Sequence, residues 1–228
     1  MLITCEHGGN TIPVRYAPLF HGTQKLLKSH RGHDIGALNL ARYLARHLRA
    51  PLHYSTVSRL LVDLNRSPHH RQLFSSQTRV LDPASRTAVL ARYYSPYRGA
   101  VEKRIVQMIA RGRSVVHVSA HSFTPVFDSK TRMADIGLLY DPARRGERLF
   151  CTRFQDALSD FAPTLRVRRN YPYKGTADGF TTYLRKIFSG THYAGIELEV
   201  NQRFFLDAKP AWGGIRLNIL RALTTIFG

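Results

Sequence analysis

Apolar and polar positions change period repeatedly along this chain, between the alternation of strands and the wider spacing of amphipathic helices. Short β-type runs are expected at residues 2–5, 52–57, 115–118, 136–140, 165–167 and 194–200, with a short extended piece at 60–62. Helical spacing is expected over 34–48, where Ile35, Leu38, Leu40, Ala41, Leu44, Ala45 and Leu48 fall largely on one face. Further helices are expected over 147–161, 180–187 and 215–226, and one or two over 83–111, with Val101, Ile105, Met108 and Ile109 turned inward. Strands separated by helices of these lengths predict a single α/β domain, 1–228, with a mixed, mainly parallel sheet sandwiched by helices.

The polar, Pro- and Gly-marked stretches 68–76, 122–132 and 170–178 are the expected loops. The residues with chemical potential lie at or just beyond expected strand ends, where open α/β sheets bind ligands. A length of 228 residues and 43% hydrophobic content fit one globular domain with a full core. No apolar run of about 18 residues is present, so no membrane span is expected. The first residues lack a basic region leading into an apolar stretch and a cleavage site. With only Cys5 and Cys151, this suggests a reducing, cytoplasmic setting.

Thirty-four Lys and Arg against 15 Asp and Glu give a net charge of +19, which favours anionic ligands. The basic residues are spread over the whole chain, and no aromatic–basic RNA-binding signature accompanies them.

Four constellations carry the candidate chemistry. Glu6-His7-Gly8-Gly9-Asn10 follows the first strand, and the glycine pair would let the backbone approach a ligand closely. His121 follows the run 115–118 and is expected to emerge where that strand stops. His7 and His121 could ligate zinc, with Asp34 or Glu6 supplying an oxygen ligand and one position left open for water. Arg59, Asp63, Asn65 and Arg66 form a compact polar cluster in which arginine forks could clamp a carboxylate while Asp63 orients one of them. Glu197 and Glu199 share one face of a strand, and a carboxylate there could move the proton of an activated water. His33-Asp34 also spells the metal pair of all-helical HD-type phosphohydrolases, but the strands of this chain do not suit that fold.

In order and content these pieces resemble the N-formylglutamate amidohydrolase family, a relative of the zinc carboxypeptidases and aspartoacylases. The resemblance runs through Glu6-His7-Gly8-Gly9-Asn10 with Pro13, Asp34, the segment from Ser58 to Arg66, the segment from Ser119 to Phe123, and Glu197-Leu198-Glu199. It implies a zinc-carboxypeptidase-like scaffold and hydrolysis of the amide of an N-formyl or other N-acyl amino acid. His7 and His121 match the zinc histidines and Glu197 the general base. Arg59, Asn65 and Arg66 match the carboxylate-binding stretch, with Asn10, Asp63 and Glu199 as further substrate-side positions. Asn10 stands where the wider group has a zinc-binding glutamate, so Asp34 is the expected third ligand. The alternatives on the same fold are a metal-dependent phosphoesterase or nuclease, and a non-catalytic basic protein that binds nucleic acid.

Overall fold

The computed structural model of the chain describes residues 1–206 and 209–227. In chain order its elements are β1 (Leu2–Cys5), a 3-10 turn (Val14–Phe20), α1 (Gln24–Leu27), α2 (Ala37–His47), β2 (Leu52–Tyr54), α3 (Pro83–Val89) and α4 (Ser95–Ala110). Then follow β3 (Val115–Phe123), β4 (Val126–Phe127), β5 (Lys130–Thr131), β6 (Ile136–Leu139), α5 (Arg145–Phe161), β7 (Val167–Arg169), α6 (Phe180–Ile187), β8 (Tyr193–Asn201), α7 (Arg203–Leu206) and α8 (Lys209–Phe227).

Six strands form one sheet in the order β2-β1-β3-β8-β6-β7. Only the β6–β8 pairing is antiparallel; β1–β2, β1–β3, β3–β8 and β6–β7 are parallel. This is the expected single α/β domain with a mixed, mostly parallel sheet between helical layers. Ile3, Cys5, Val118, Ala120, Ile196 and Leu198 face α2, α5 and α8 in the largest apolar cluster. The opposite face packs Leu2, Val115 and Tyr193 against Val101, Ile105 and Met108 of α4 and Phe180 and Leu184 of α6.

The period of two then decides where the chemistry lies. Because Val118, Ala120, Ile196 and Leu198 point to one layer, His117, Ser119, His121, Glu197 and Glu199 point to the other. Register locks the central pair, setting Ser119 beside Glu197 and His121 beside Glu199.

Several elements differ from the sequence expectation. The strand expected at 115–118 runs to Phe123, so His121 sits inside it rather than at its end. Residues 60–61 are turn and Val62 has no regular structure, so no extended piece forms; Leu60, Leu61, Val62 and Leu64 are buried in a satellite cluster with Tyr16, Phe20, Leu73 and Val89. An apolar run enclosed on several sides does not report a strand. The helical stretch 83–111 is continuous through a π turn at 90–94, where Pro96 cannot donate the backbone bond that would continue the α pattern. Gly8 and Gly9 pack against the chain's own backbone, not a ligand. A Cβ on Gly9 would meet Thr56 O at 2.6 Å.

Candidate active site

The site lies over the carboxyl ends of β1, β3 and β8. His7 leaves β1 in a turn, and the backbone N–H of Asp34 donates to His7 O at 3.0 Å, placing Asp34 beside it. Gly36, with φ +85°, then reverses the chain into α2, a conformation that suits glycine. β3 supplies His121. Among the described residues, His7, Asp34 and His121 form a group that could hold a metal ion. Each presents a ligand atom, all lie within 4.8 Å of one another, and all three residues are buried.

The hydrogen bonds assign each imidazole an inner and an outer nitrogen. His7 Nε2 donates to Asp63 Oδ1 at 2.7 Å. His121 Nε2 donates to Ser119 Oγ at 2.9 Å, and Ser119 in turn donates to Glu6 Oε2 at 2.5 Å. Both Nδ1 atoms face the same oxygen, Asp34 Oδ2, at 3.4 Å from His7 and 2.8 Å from His121. Carboxylate-terminated partners on the outer nitrogens are how metal-binding histidines are oriented and made more basic. The buried Nδ1 of His7 has no hydrogen-bond partner, which fits a ligand atom aimed at a cation.

Electrostatics reinforce this. Against the cost of burial, Arg59 and His7 hold the Asp63 carboxyl well below the usual carboxylate range. His7 and His121 hold Asp34 low in the same way. The carboxylates of Asp34 and Glu6 raise His121 well above its ordinary value despite its burial. The cluster therefore favours positive charge at its centre.

Arg59 is locked rather than free. Its Nε and Nη2 donate to Asp63 Oδ2 at 3.1 and 2.7 Å, and Nη1 reaches Asp34 Oδ1 at 3.4 Å. Asn65 Oδ1 accepts from the Phe180 N–H at 2.7 Å, which leaves its Nδ2 hydrogens for the cavity that Asn65 lines. Arg66 gives one Nη1 bond to Asp178 O at 2.9 Å and also lines the cavity. The turn carrying both is held from beneath by Arg98 of α4, which donates to Leu64 O at 3.3 Å and Arg66 O at 3.1 Å. Tyr94, in the π turn, donates to Arg66 O at 2.7 Å.

The two glutamates differ sharply. Glu197 Oε1 accepts from Thr181 Oγ1 at 2.8 Å. Glu199 Oε2 is buried with no partner. Burial pushes the Glu199 pKa up to about 7, with Asp34 and Glu197 adding to the rise and His121 opposing it.

The cavity over these groups has a volume of about 330 Å³ and brings together His7, Asp34, His121, Arg59, Asn65, Arg66, Glu197 and Glu199. Two expected positions fall elsewhere. Asn10 does not line it, because the chain turns away after Gly9 and Thr11 bridges to Val57. Asp63 lies behind His7 and Arg59, where it orients both. Glu6, weighed as an oxygen ligand, stands on the outer side of His121. His33 turns its Nδ1 to Leu27 O at 3.2 Å, so only Asp34 of the His33-Asp34 pair enters the site. Sequence reasoning missed Ser119, which the alternation of His117, Ser119 and His121 on one strand face could have shown. It also missed Arg98, Tyr173 and Lys174, for which no local pattern existed.

Two buried histidines and a carboxylate, the histidines with oriented outer nitrogens, stand in an α/β domain beside the unpartnered oxygen of Glu199 and the tethered guanidiniums of Arg59 and Arg66, and such a group could hold a metal ion. The profile of the N-formylglutamate amidohydrolase family matches residues 1–206, and the chain belongs to that family. A solved gene product of Agrobacterium tumefaciens, Atu2144, is 32% identical over all of this chain and 91% of its own, with a TM-score of 0.80. The N-formylglutamate amidohydrolase of Ralstonia eutropha JMP134 shares the fold at 17% identity and a TM-score of 0.73, over 98% of this chain and 92% of its own. No curated protein matches the chain. No described helix is long and apolar enough to cross a membrane.

Proposed function

We propose that this chain is a zinc-dependent amidohydrolase that cleaves the amide of an anionic N-acyl amino acid such as N-formylglutamate. The products are the free amino acid and a carboxylate. The observation that carries the reading is the shared orientation of His7 and His121, each with Nε2 tied outward and Nδ1 turned to Asp34 Oδ2.

His7, Asp34 and His121 would hold the ion, and a two-histidine, one-carboxylate donor set suits zinc. When bound, zinc supplies Lewis acidity to the amide carbonyl and lowers the pKa of water to about 7. Glu199 is the better placed of the two strand glutamates to take the proton from the attacking water and hand it to the leaving nitrogen. Its oxygen, buried and without a partner on the cavity wall, suits that exchange. Glu197, held by Thr181, shapes the wall beside it. Arg59, fixed by two carboxylates, presents its remaining donor surface to the carbonyl oxygen as negative charge develops there. Asn65 Nδ2 and the free arm of Arg66 hold the α-carboxylate, which sets the amide over the metal site. The excess of basic residues favours capture of an anionic substrate.

Hydrolysis of a panel of N-acyl amino acids by zinc-loaded protein tests this directly. Release of the amino acid is expected, and phosphate esters should remain intact. Turnover of phosphate esters with no N-acyl substrate cleaved would overturn the assignment.

A further inference from the structure

The site cavity does not end at the metal-ligand cluster. A second cavity of about 720 Å³ adjoins it, and His30, Arg59, Gln72, Phe127 and Tyr173 line both. The carboxylate-clamp residues Asn65 and Arg66 line only the first cavity, together with Asp178 and Glu197. Arg31, Phe74, Gln77 and Arg79 line only the second. The site is therefore directional, with the clamp at one end and the wider space beyond Arg59 at the other.

A substrate whose α-carboxylate sits on Asn65 and Arg66 points its acyl group past the metal-ligand cluster towards Arg59. A formyl group, one carbon and one oxygen, would leave a cavity of about 720 Å³ almost unfilled. We infer that the second cavity is an acyl subsite, and that the preferred substrates carry an extended acyl group with an anionic end. This rests on the amide hydrolysis proposed above.

The lining chemistry argues for the anion. Arg31 and Arg79 are exposed and stand on the cavity wall with the half-buried His30, and Gln72 and Gln77 add neutral donors. Of the carboxylates there, Asp63 is consumed by His7 and Arg59, which leaves Asp128. Arg79 keeps one Nη2 bond to Arg71 O at 3.0 Å, which fixes its side chain while its other donors stay open. Burial first, and then the guanidiniums of Arg31, Arg132 and Arg59, lower the pKa of His30, in keeping with the arginines on this wall. Phe74, Phe127 and Tyr173 offer apolar surface for the methylene part of such an acyl chain.

The test compares three substrates sharing one amino acid on the zinc-loaded enzyme: N-formyl-, N-succinyl- and N-succinamoyl-glutamate. The last two match in length and intrinsic reactivity and differ only in the distal charge. A kcat/KM at least about tenfold higher for N-succinyl than for N-succinamoyl is expected, as for one charge-assisted contact, and the gap should shrink with added salt. In Arg31→Ala/Arg79→Ala the two rates should come together. Equal rates in the native enzyme, or a gap that survives the double substitution, overturn the acyl subsite. If N-formylglutamate is cleaved in that case, the amidohydrolase reading stands alone. No cleavage of any of the three overturns both.

Discussion

His7 donates from Nε2 to Asp63 Oδ1 at 2.7 Å, and this single bond decides that Nδ1 is the nitrogen facing Asp34. It also joins the two halves of the site, since the same carboxylate grips Arg59 through Oδ2. An asparagine at 63 could present its NH₂ group to His7 and so reverse the imidazole's donor and acceptor. Asp63→Asn should therefore weaken zinc about tenfold to a hundredfold. Zinc titration with a competing chelator measures the loss, with circular dichroism confirming the fold. Unchanged affinity would show that Asp63 serves only Arg59.

The choice between the strand glutamates is tested by exchanging each for its amide. Glu199→Gln should keep the metal and lose about 10²–10⁴-fold in kcat, the usual range for a missing general base. Glu197→Gln retains an acceptor for Thr181 and should cost far less. If the larger loss falls on Glu197→Gln, the roles are the reverse of those proposed.

Much of the layout was legible in the sequence, for reasons that also show where legibility ends. The helix Phe180–Ile187 falls where its amphipathic spacing places it, because that element packs one clean face on Leu2 and Val115. The glutamate pair was readable because the two-residue period of a strand survives burial. The run Leu60-Leu61-Val62 misled because burial inside a turn looks, in one dimension, like a buried strand. Asp34 could be singled out beforehand as a candidate ligand, but its placement depends on a backbone bond to His7 that no spacing rule reports. Asn10, expected on the substrate side, does not line the cavity, because Gly8 and Gly9 carry the chain against Ser55 and Thr56.

Arg66 supplies a further test of the carboxylate clamp. One of its donors is committed to Asp178 O, which leaves the other arm for the proposed substrate carboxylate. Lysine cannot hold both partners, and losing a charge-assisted bond of about 1.5–3 kcal/mol should cost kcat/KM on the order of tenfold to a hundredfold. The loss should appear mainly in KM, with zinc content unchanged. An α-carboxamide analogue should suffer in the native enzyme and lose little more in Arg66→Lys. Equal penalties on acid and amide substrates would make the arginine structural.

The pH dependence of stability follows from His117, which is fully buried between Thr4 Oγ1 at 2.7 Å and Tyr193 OH at 2.8 Å. Burial lowers its pKa to about 4, with Arg185, His121 and His53 adding to the fall and Glu6 opposing it. Between about pH 4 and 6.5 the unfolded chain binds a proton that the folded chain refuses, so this group makes stability rise with pH across that window. The full span corresponds to roughly 3 kcal/mol. Urea unfolding of native protein and His117→Gln, both in chelator, should therefore show a shallower slope for the variant between pH 4.5 and 6.5. Parallel slopes would mean that His117 titrates normally.

Amide cleavage is expected to depend on a metal held by His7, Asp34 and His121. The direct measurement is formate release from N-formylglutamate alongside metal analysis, for native protein, chelator-treated protein with zinc restored, and His121→Ala. The expected result is about one zinc per chain, activity lost on chelation and regained with zinc, and a folded His121→Ala that has neither metal nor turnover. Formate release that survives chelation, or that persists in His121→Ala, would contradict it.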